Sequence, residues 1–246
     1  MKNHEFLYGS MNIKISESIF YVLVEDCHRF GFVKNDEANF SGYINDIIPK
    51  LSKMREEKHN TILKYNDYDE NLTRIIEKNI YNVYLKEFDL EDDNIGDLSF
   101  RINNKSRDEF IYIHDNLLEL FDLDFTNYVR SLLKEYSIKK TLKRELCYFY
   151  NEFKKINEAI NSNRLIKVYN KNGEIYEIIP IALEQCYKKE TNYLIGSVED
   201  KTGIWIIALD SISRISYLNK IIELSDEDIT GMTQEAYDKI YKEDEC

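Results

Sequence analysis

Apolar and polar residues alternate with period two in two short stretches that lie far apart in the chain. One is Met11-Asn12-Ile13-Lys14-Ile15-Ser16 and the other is Leu98-Ser99-Phe100-Arg101-Ile102-Asn103. Period two marks a half-buried strand, because successive side chains point to opposite faces. Helical spacing follows each stretch. Phe20, Leu23, Val24, Cys27 and Phe30 fall on one face over 17–32, and Phe40, Ile44, Ile47, Ile48 and Leu51 share a face in the next segment. The second stretch leads into a helical pattern over 107–121 and another from Phe125. There, Phe125-Thr126-Asn127-Tyr128-Val129-Arg130-Ser131-Leu132-Leu133 repeats the aromatic, hydroxyl and aliphatic order of Phe40-Ser41-Gly42-Tyr43-Ile44-Asn45-Asp46-Ile47-Ile48. Ile15 and Ile102 are 87 positions apart and Phe40 and Phe125 are 85 apart, so the copies stay in step apart from two residues lost in a turn. The pattern predicts an internal duplication, each copy running strand, helix, turn, helix, with the two strands paired antiparallel inside one chain. Pro49 lies inside the first copy's second helix, where it removes a hydrogen bond. Lys134 stands at the matching place.

Between the copies, Leu72, Ile75, Ile76, Ile80, Val83 and Tyr84 read as a helix, followed by an acidic loop over 87–97. After Tyr136, a basic start (Lys139-Lys140-Thr141-Leu142-Lys143-Arg144) opens one long helix through Phe149, Phe153, Ile156 and Ile160. From Arg164 the texture changes to short strands. Leu165–Tyr169 meets the turn Asn170-Lys171-Asn172-Gly173, and Asn and Gly tolerate the positive φ of a tight hairpin. Strands over 174–179, 193–198, 204–209 and 212–218 follow, with Pro180 closing the first and a turn over 199–203. Close spacing of this kind predicts a small, strongly curved barrel. The last stretch, 223–246, reads as an acidic end with one short helix over 233–241.

Composition alters this picture in one respect. The net charge is −12, which opposes nucleic acid, but it is unevenly spread. Residues 1–64 carry nine basic and nine acidic side chains, and 98–222 carry 19 and 17. The connector 65–97 carries three and ten, and the tail 223–246 two and nine. The candidate binding units are thus near neutral, and charge alone does not give them strong affinity. The chain has no run of 18 apolar residues and its first residues lack a signal peptide's apolar core, so a cytoplasmic location without membrane contact is expected. Cys27, Cys147, Cys186 and Cys246 are widely spaced, as expected of reduced thiols rather than disulfides or a zinc site. Residues 1–10 read as a flexible leader. A Gly-rich phosphate loop, H-E-x-x-H and a nucleophile elbow are all absent, and His4, His28, His59 and His114 are scattered. No catalysis, metal or cofactor is expected.

The duplicated strand–helix–helix order resembles the ribbon-helix-helix family of DNA-binding regulators. In that family two strands pair into a ribbon that enters the major groove. The resemblance implies that Ile13, Ile15, Phe100 and Ile102 face the helices, and that Asn12, Lys14, Ser16, Ser99, Arg101 and Asn103 point outward. Arg and Lys suit guanine, and Asn suits adenine. The helices starting near Ser41 and Thr126 are then expected to offer backbone N–H groups to phosphate. A ribbon kept only for dimerisation is the competing reading.

A second resemblance lies at 156–219. Ala159-Ile160, Arg164, Tyr169, Gly173, Pro180, Tyr193-Leu194 and Leu209-Asp210-Ser211-Ile212 are similar to the WYL domain, an Sm-like β-barrel of bacterial transcription regulators and CRISPR-associated accessory proteins. That family is thought to sense a nucleic acid or nucleotide-like ligand. Here the signature Trp is Asn192, and the basic residues of the closing strand are Ala208 and Ser211. Lys167, Tyr193 and Arg214 are the candidate barrel ligand-binding residues, the ring for stacking and the cations for phosphate. The expected fold class is therefore α+β: ribbon-helix-helix-like units at 1–64 and 98–155, the latter including a linker helix, around an acidic connector at 65–97, then a WYL barrel at 156–222 and an acidic tail at 223–246. Two functions follow. One is a non-enzymatic regulator, transcriptional in type, that binds duplex DNA first and single-stranded RNA or DNA second. The other is an accessory protein that modulates an RNA-guided CRISPR effector. Because Trp205, Ile207 and Leu209 alternate with Ile204, Ile206 and Ala208, one apolar face of that strand needs cover, and a homodimer through it is expected.

Overall fold

The computed structural model describes residues 7–90, 95–198 and 203–242. The expected leader lies partly, and Cys246 and most of the turn at 199–203 wholly, outside the described residues. The chain is α+β and divides into two units, Met1–Lys139 and Lys140–Cys246.

The first unit opens with β1 (Ser10–Ser16) and α1 (Glu17–Arg29). A two-residue hairpin, β2 (Val33–Lys34) and β3 (Glu37–Ala38), turns the chain into α2 (Phe40–Tyr65). Then come α3 (Glu70–Leu90) and β4 (Ile95–Arg101). The second copy's first helix is interrupted: α4 (Arg107–Tyr112) passes through a π-helical turn at Ile113–Leu117 into α5 (Leu118–Phe121). Finally α6 (Phe125–Ser137) matches α2. Strand, helix and helix thus occur twice, in the expected order.

The two strands pair antiparallel within the chain, Ile13 opposite Leu98 and Asn12 opposite Ser99. An 87-residue shift carries Asn12 onto Ser99, so this central pair lies on a local pseudo-two-fold axis of the ribbon. Ile13, Ile15, Leu98 and Phe100 face the helices and are excluded from water, as is Ile102 just beyond the strand. Burying such a side chain stabilises by about 1.5–3 kcal/mol, which holds the ribbon's register against a one-residue slip. The helical repeats behave alike: Tyr43, Ile44, Ile47 and Ile48 of α2 and Tyr128, Val129, Leu132 and Leu133 of α6 are all buried. Polar groups are built into this core. Tyr136 donates to Asp26 at 2.6 Å and shares a 2.7 Å hydrogen bond with Tyr43. Burial, followed by the neighbouring Tyr43 and Asp26, pushes the Tyr136 phenol well above its usual range.

The stretch read as an acidic connector is largely α3, and it packs on α2 and α6. Among its described side chains Thr73, Glu77 and Tyr81 are buried, and Glu77 meets the buried His59 of α2 at 2.6 Å.

In the second unit the expected single helix is broken at Phe149 into α7 (Thr141–Tyr148) and α8 (Tyr150–Asn161). Five strands follow: β5 (Arg164–Asn170), β6 (Ile175–Cys186), β7 (Thr191–Ser197), β8 (Ile204–Ala208) and β9 (Ile212–Ile221). They form one antiparallel sheet in the order β8-β7-β6-β5-β9. The long β6 pairs first with β5 and then with β7, with a bulge between Pro180 and Ala182 where the proline has no N–H to give. Gly196 lies opposite Pro180, and a Cβ there would stand 2.9 Å from Ile178 Cδ1 and 3.0 Å from the Ile179 carbonyl oxygen. Glycine is needed for that approach.

The tail differs most from expectation. It forms α9 (Asp226–Lys242), which packs on β6, β7 and β8 with Ala236 and Ile240 buried. Ile181, Cys186 and Ile195 complete that core, and Ile204 and Ile206 lie against it. The face thought to need a second chain is therefore covered by the protein's own helix, and the argument for a dimer through it falls. Among the described residues no helix is long and apolar enough to cross a membrane.

Candidate nucleic-acid interface

The outward face of the ribbon carries Ser10, Asn12 and Lys14 from β1 and Asp97, Ser99 and Arg101 from β4, all exposed. Ser10 stands opposite Arg101, Asn12 opposite Ser99 and Lys14 opposite Asp97. The two cations occupy diagonal corners, four residues apart along the ribbon, or roughly 13 Å at strand spacing. Ser10 and Ser99 hydroxyls bond at 3.0 Å across the strands. Asp97 beside Lys14 offsets one of the two positive charges, so this face is polar with little net attraction for an anion.

Four of the six expected ribbon residues, Asn12, Lys14, Ser99 and Arg101, share this face. Ser16 does not. It is buried because the strand's last residue is also the N-cap position of α1, and its hydroxyl bonds Ser18 at 2.9 Å. Asn103 is exposed but lies beyond the end of β4. Its side-chain oxygen accepts from the backbone of Lys105 and Ser106 and from the Ser106 hydroxyl, which makes it a turn-forming group. Ser10 and Asp97 were missed. Ser10 obeys the alternation one step earlier, and Asp97 stands at the end of the acidic run in sequence.

Two helix starts were expected to bind phosphate, and both are occupied. Asn39 caps α2 by accepting from Gly42 N at 3.0 Å. Ser41 and Asn45 are tied to β4: Asn45 donates to the Arg101 carbonyl at 2.7 Å and accepts from Asn103 N at 2.8 Å. At α6 the Asp124 carboxylate accepts from Asn127 N at 2.9 Å, placing a negative charge where a phosphate would sit.

In the second unit, Lys167 on β5 and Arg214 on β9 come to one exposed face. Tyr169 lies between them, since it pairs directly with Arg214 and follows Lys167 by two residues. The Arg214 guanidinium stands 4.1 Å from the Tyr169 ring centre. Hydrogen bonds from Arg214 and then Ser216 hold the Tyr169 phenol below its usual range. Lys167 is engaged with Glu177 at 3.0 Å, and this hydrogen bond raises its pKa. Tyr193 is not part of the group. It sits on β7, on the other side of β6 from β5, among the side chains packed against α9. Tyr169 is the aromatic ring beside these cations, and its alternation with Lys167 was the available signal.

Asn192, at the signature tryptophan's place, is buried. Its backbone N–H donates to Glu145 of α7 at 2.7 Å and its amide to the Leu142 carbonyl at 3.0 Å. A polar pin between β7 and α7 thus stands where the pattern has an aromatic ring.

Neither a protein-family profile nor a curated protein sequence matches the chain. Among solved structures, it is similar to one described as a CRISPR Cas-related protein, with a TM-score of 0.58, 16% identity, and coverage of 90% of this chain and 65% of the other. This likeness shows a shared fold, and the chain spans under two thirds of that protein's length. Proteasome accessory factor B/C of Arthrobacter aurescens overlaps 54% of this chain and 24% of its own, at 15% identity and a TM-score of 0.27, too low to carry an argument.

Proposed function

We propose that this protein is a non-enzymatic nucleic-acid-binding regulator, with Met1–Lys139 acting as a single-chain ribbon-helix-helix module. Its ribbon enters the major groove of duplex DNA. Lys140–Cys246 is a WYL-type, Sm-like barrel whose Lys167–Tyr169–Arg214 face takes a nucleotide-like or single-stranded ligand. The observation that carries the reading is the intrachain ribbon itself: two strands related by a local two-fold, with a dry inner face and an open outer face of Asn12, Lys14, Ser99 and Arg101. A two-stranded ribbon fits the width of the major groove, and these side-chain types match base edges there. An open ribbon favours a DNA reader over a buried dimerisation strand.

The test is a binding titration of duplex DNA at low salt with Lys14 and Arg101 both replaced by Ala. Both side chains are exposed, so the fold survives. Affinity falls, and the slope of its logarithm against that of salt flattens by roughly 0.9 for each phosphate no longer neutralised. Unchanged binding removes the ribbon as the reading element. The second reading, an accessory protein of an RNA-guided CRISPR effector, is favoured by the fold shared with a CRISPR Cas-related protein over 90% of this chain. It takes the lead if RNA or an effector complex binds and duplex DNA does not.

A further inference from the structure

The two ends of the ribbon differ chemically, although a local two-fold axis relates their backbones. That axis exchanges Lys14 with Arg101 and Ser10 with Asp97. One end therefore sets Arg101 opposite Ser10 and the other sets Lys14 opposite Asp97, and all four side chains are exposed. The Arg101 end keeps a full positive charge, whereas the Asp97 carboxylate leaves the Lys14 end neutral. The flanking chain widens the difference. Past Arg101 a turn carries the exposed Lys105, whereas β1 runs straight into α1 at the exposed Glu17. Donor chemistry differs as well. The Arg101 guanidinium is a planar fork and the Lys14 ammonium a point charge. The Ser10 hydroxyl donates or accepts and is shared with Ser99, while the Asp97 carboxylate only accepts.

We propose that the ribbon lies on its duplex with a fixed polarity. The Arg101 end anchors on guanine, and in the other half Asp97 selects a cytosine at a position that its two-fold mate leaves open. This polarity presupposes that the ribbon reads DNA, as proposed above. Guanine offers O6 and N7 side by side to a guanidinium fork, the commonest specific contact in the major groove. Cytosine offers its N4 amino group to a carboxylate with no acceptor beside it. Adenine offers an amino group too, but its N7 acceptor would face the carboxylate's negative charge. The position matching Asp97 is Ser10, whose hydroxyl suits donors and acceptors alike, so the Arg101 end has no counterpart to the cytosine contact. Affinity therefore comes mainly from the Arg101 end. Asp97 supplies discrimination instead, since a carboxylate in the groove gains nothing from phosphate.

The test is selection from a randomised duplex library followed by binding titration at low salt. It uses the full natural chain and the single variants Arg101→Ala, Lys14→Ala and Asp97→Ser. Asp97 is exposed and serine already stands at its two-fold mate, so the fold is retained and circular dichroism should not change. The natural chain should select a site in which one half has a cytosine position without a counterpart in the other. Arg101→Ala should weaken binding by about tenfold or more beyond Lys14→Ala. Asp97→Ser should tighten binding to all duplexes by about five- to tenfold and erase the cytosine preference. The polarity is overturned, with the ribbon still a DNA reader, by any of three results: equal losses from Arg101→Ala and Lys14→Ala, a natural site with two equivalent halves, or an Asp97→Ser protein that keeps the preference. A natural chain that binds no duplex overturns the DNA-reading ribbon and its polarity together.

Discussion

Arg55→Ala should destabilise the first unit more than any surface substitution. Arg55 is 2% exposed between α2, α3 and α6. Its Nη1 donates to Ser131 Oγ at 2.8 Å and its Nη2 to Glu135 at 3.1 Å. The guanidinium also stands 4.3 Å from the Tyr81 ring centre and 5.1 Å from that of Tyr128. Each hydrogen bond from the charged guanidinium contributes about 1.5–3 kcal/mol, and a desolvated cation over a ring up to about 2 kcal/mol. These terms overlap, and breaking a buried ion pair from one side typically costs about 3–5 kcal/mol in all. With a urea m-value near 2 kcal/mol/M, the midpoint should fall by about 1.5–2.5 M. Far-UV circular dichroism is weighted to the longer helices of this unit, with a smaller share from α7, α8 and α9 of the second. The single tryptophan, Trp205, belongs to the second unit and reports on that unit in the same titration. A shift of the helical transition below about 0.5 M would refute the reasoning.

Further outcomes follow from the same geometry. Burial alone would raise the Glu135 carboxyl, but the cations Arg55, Lys58 and Lys139 outweigh it and hold it below the usual carboxylate range. Its contribution is therefore fully present above the unfolded value of about 4.3 and is lost as pH falls through the lower folded value. Urea midpoints of the natural chain and Glu135→Gln should differ near neutrality and converge in acid; a gap that does not change with pH contradicts this. Gly196→Ala places a methyl against the Ile179 backbone carbonyl and should destabilise the sheet by about 1–3 kcal/mol, read from Trp205 fluorescence during unfolding. An unmoved transition would show that β6 and β7 have room to spare. Arg214→Ala with Tyr169→Ala should abolish any single-stranded binding by the second unit, whereas Tyr193→Ala should not, measured by fluorescence anisotropy; the reverse result would restore Tyr193 as the stacking ring.

The ribbon was legible because period-two alternation is a local property, and a dry inner face demands it at Ile13, Ile15, Leu98 and Phe100. The repeated helices were legible for the same reason, through Tyr43 with Tyr128 and Ile47 with Leu132. What failed depended on neighbours distant in sequence. Ser16 alternates correctly yet is buried, because the strand runs directly into a helix. The connector seemed solvated because its polar residues are numerous, but polar Thr73 and Glu77 are buried, the latter held by His59 eighteen residues away. The acidic tail reads as loose by charge, and its few apolar positions, Ala236 and Ile240, suffice once Ile181 and Ile195 lie beneath them. Tyr193 was chosen from a pattern of residue types, and only the strand order shows that Tyr169 is the ring beside Arg214.

Selection from a randomised duplex library tests the central claim most directly. A ribbon whose Asn12 and Ser99 sit on a local two-fold axis, with Lys14 and Arg101 at diagonal corners, should enrich a short, imperfect inverted repeat centred on that axis. The Lys14→Ala, Arg101→Ala protein should lose the enrichment. Recovery of no preferred duplex sequence, while single-stranded RNA still binds and does so equally well in that variant, would contradict a DNA-reading ribbon.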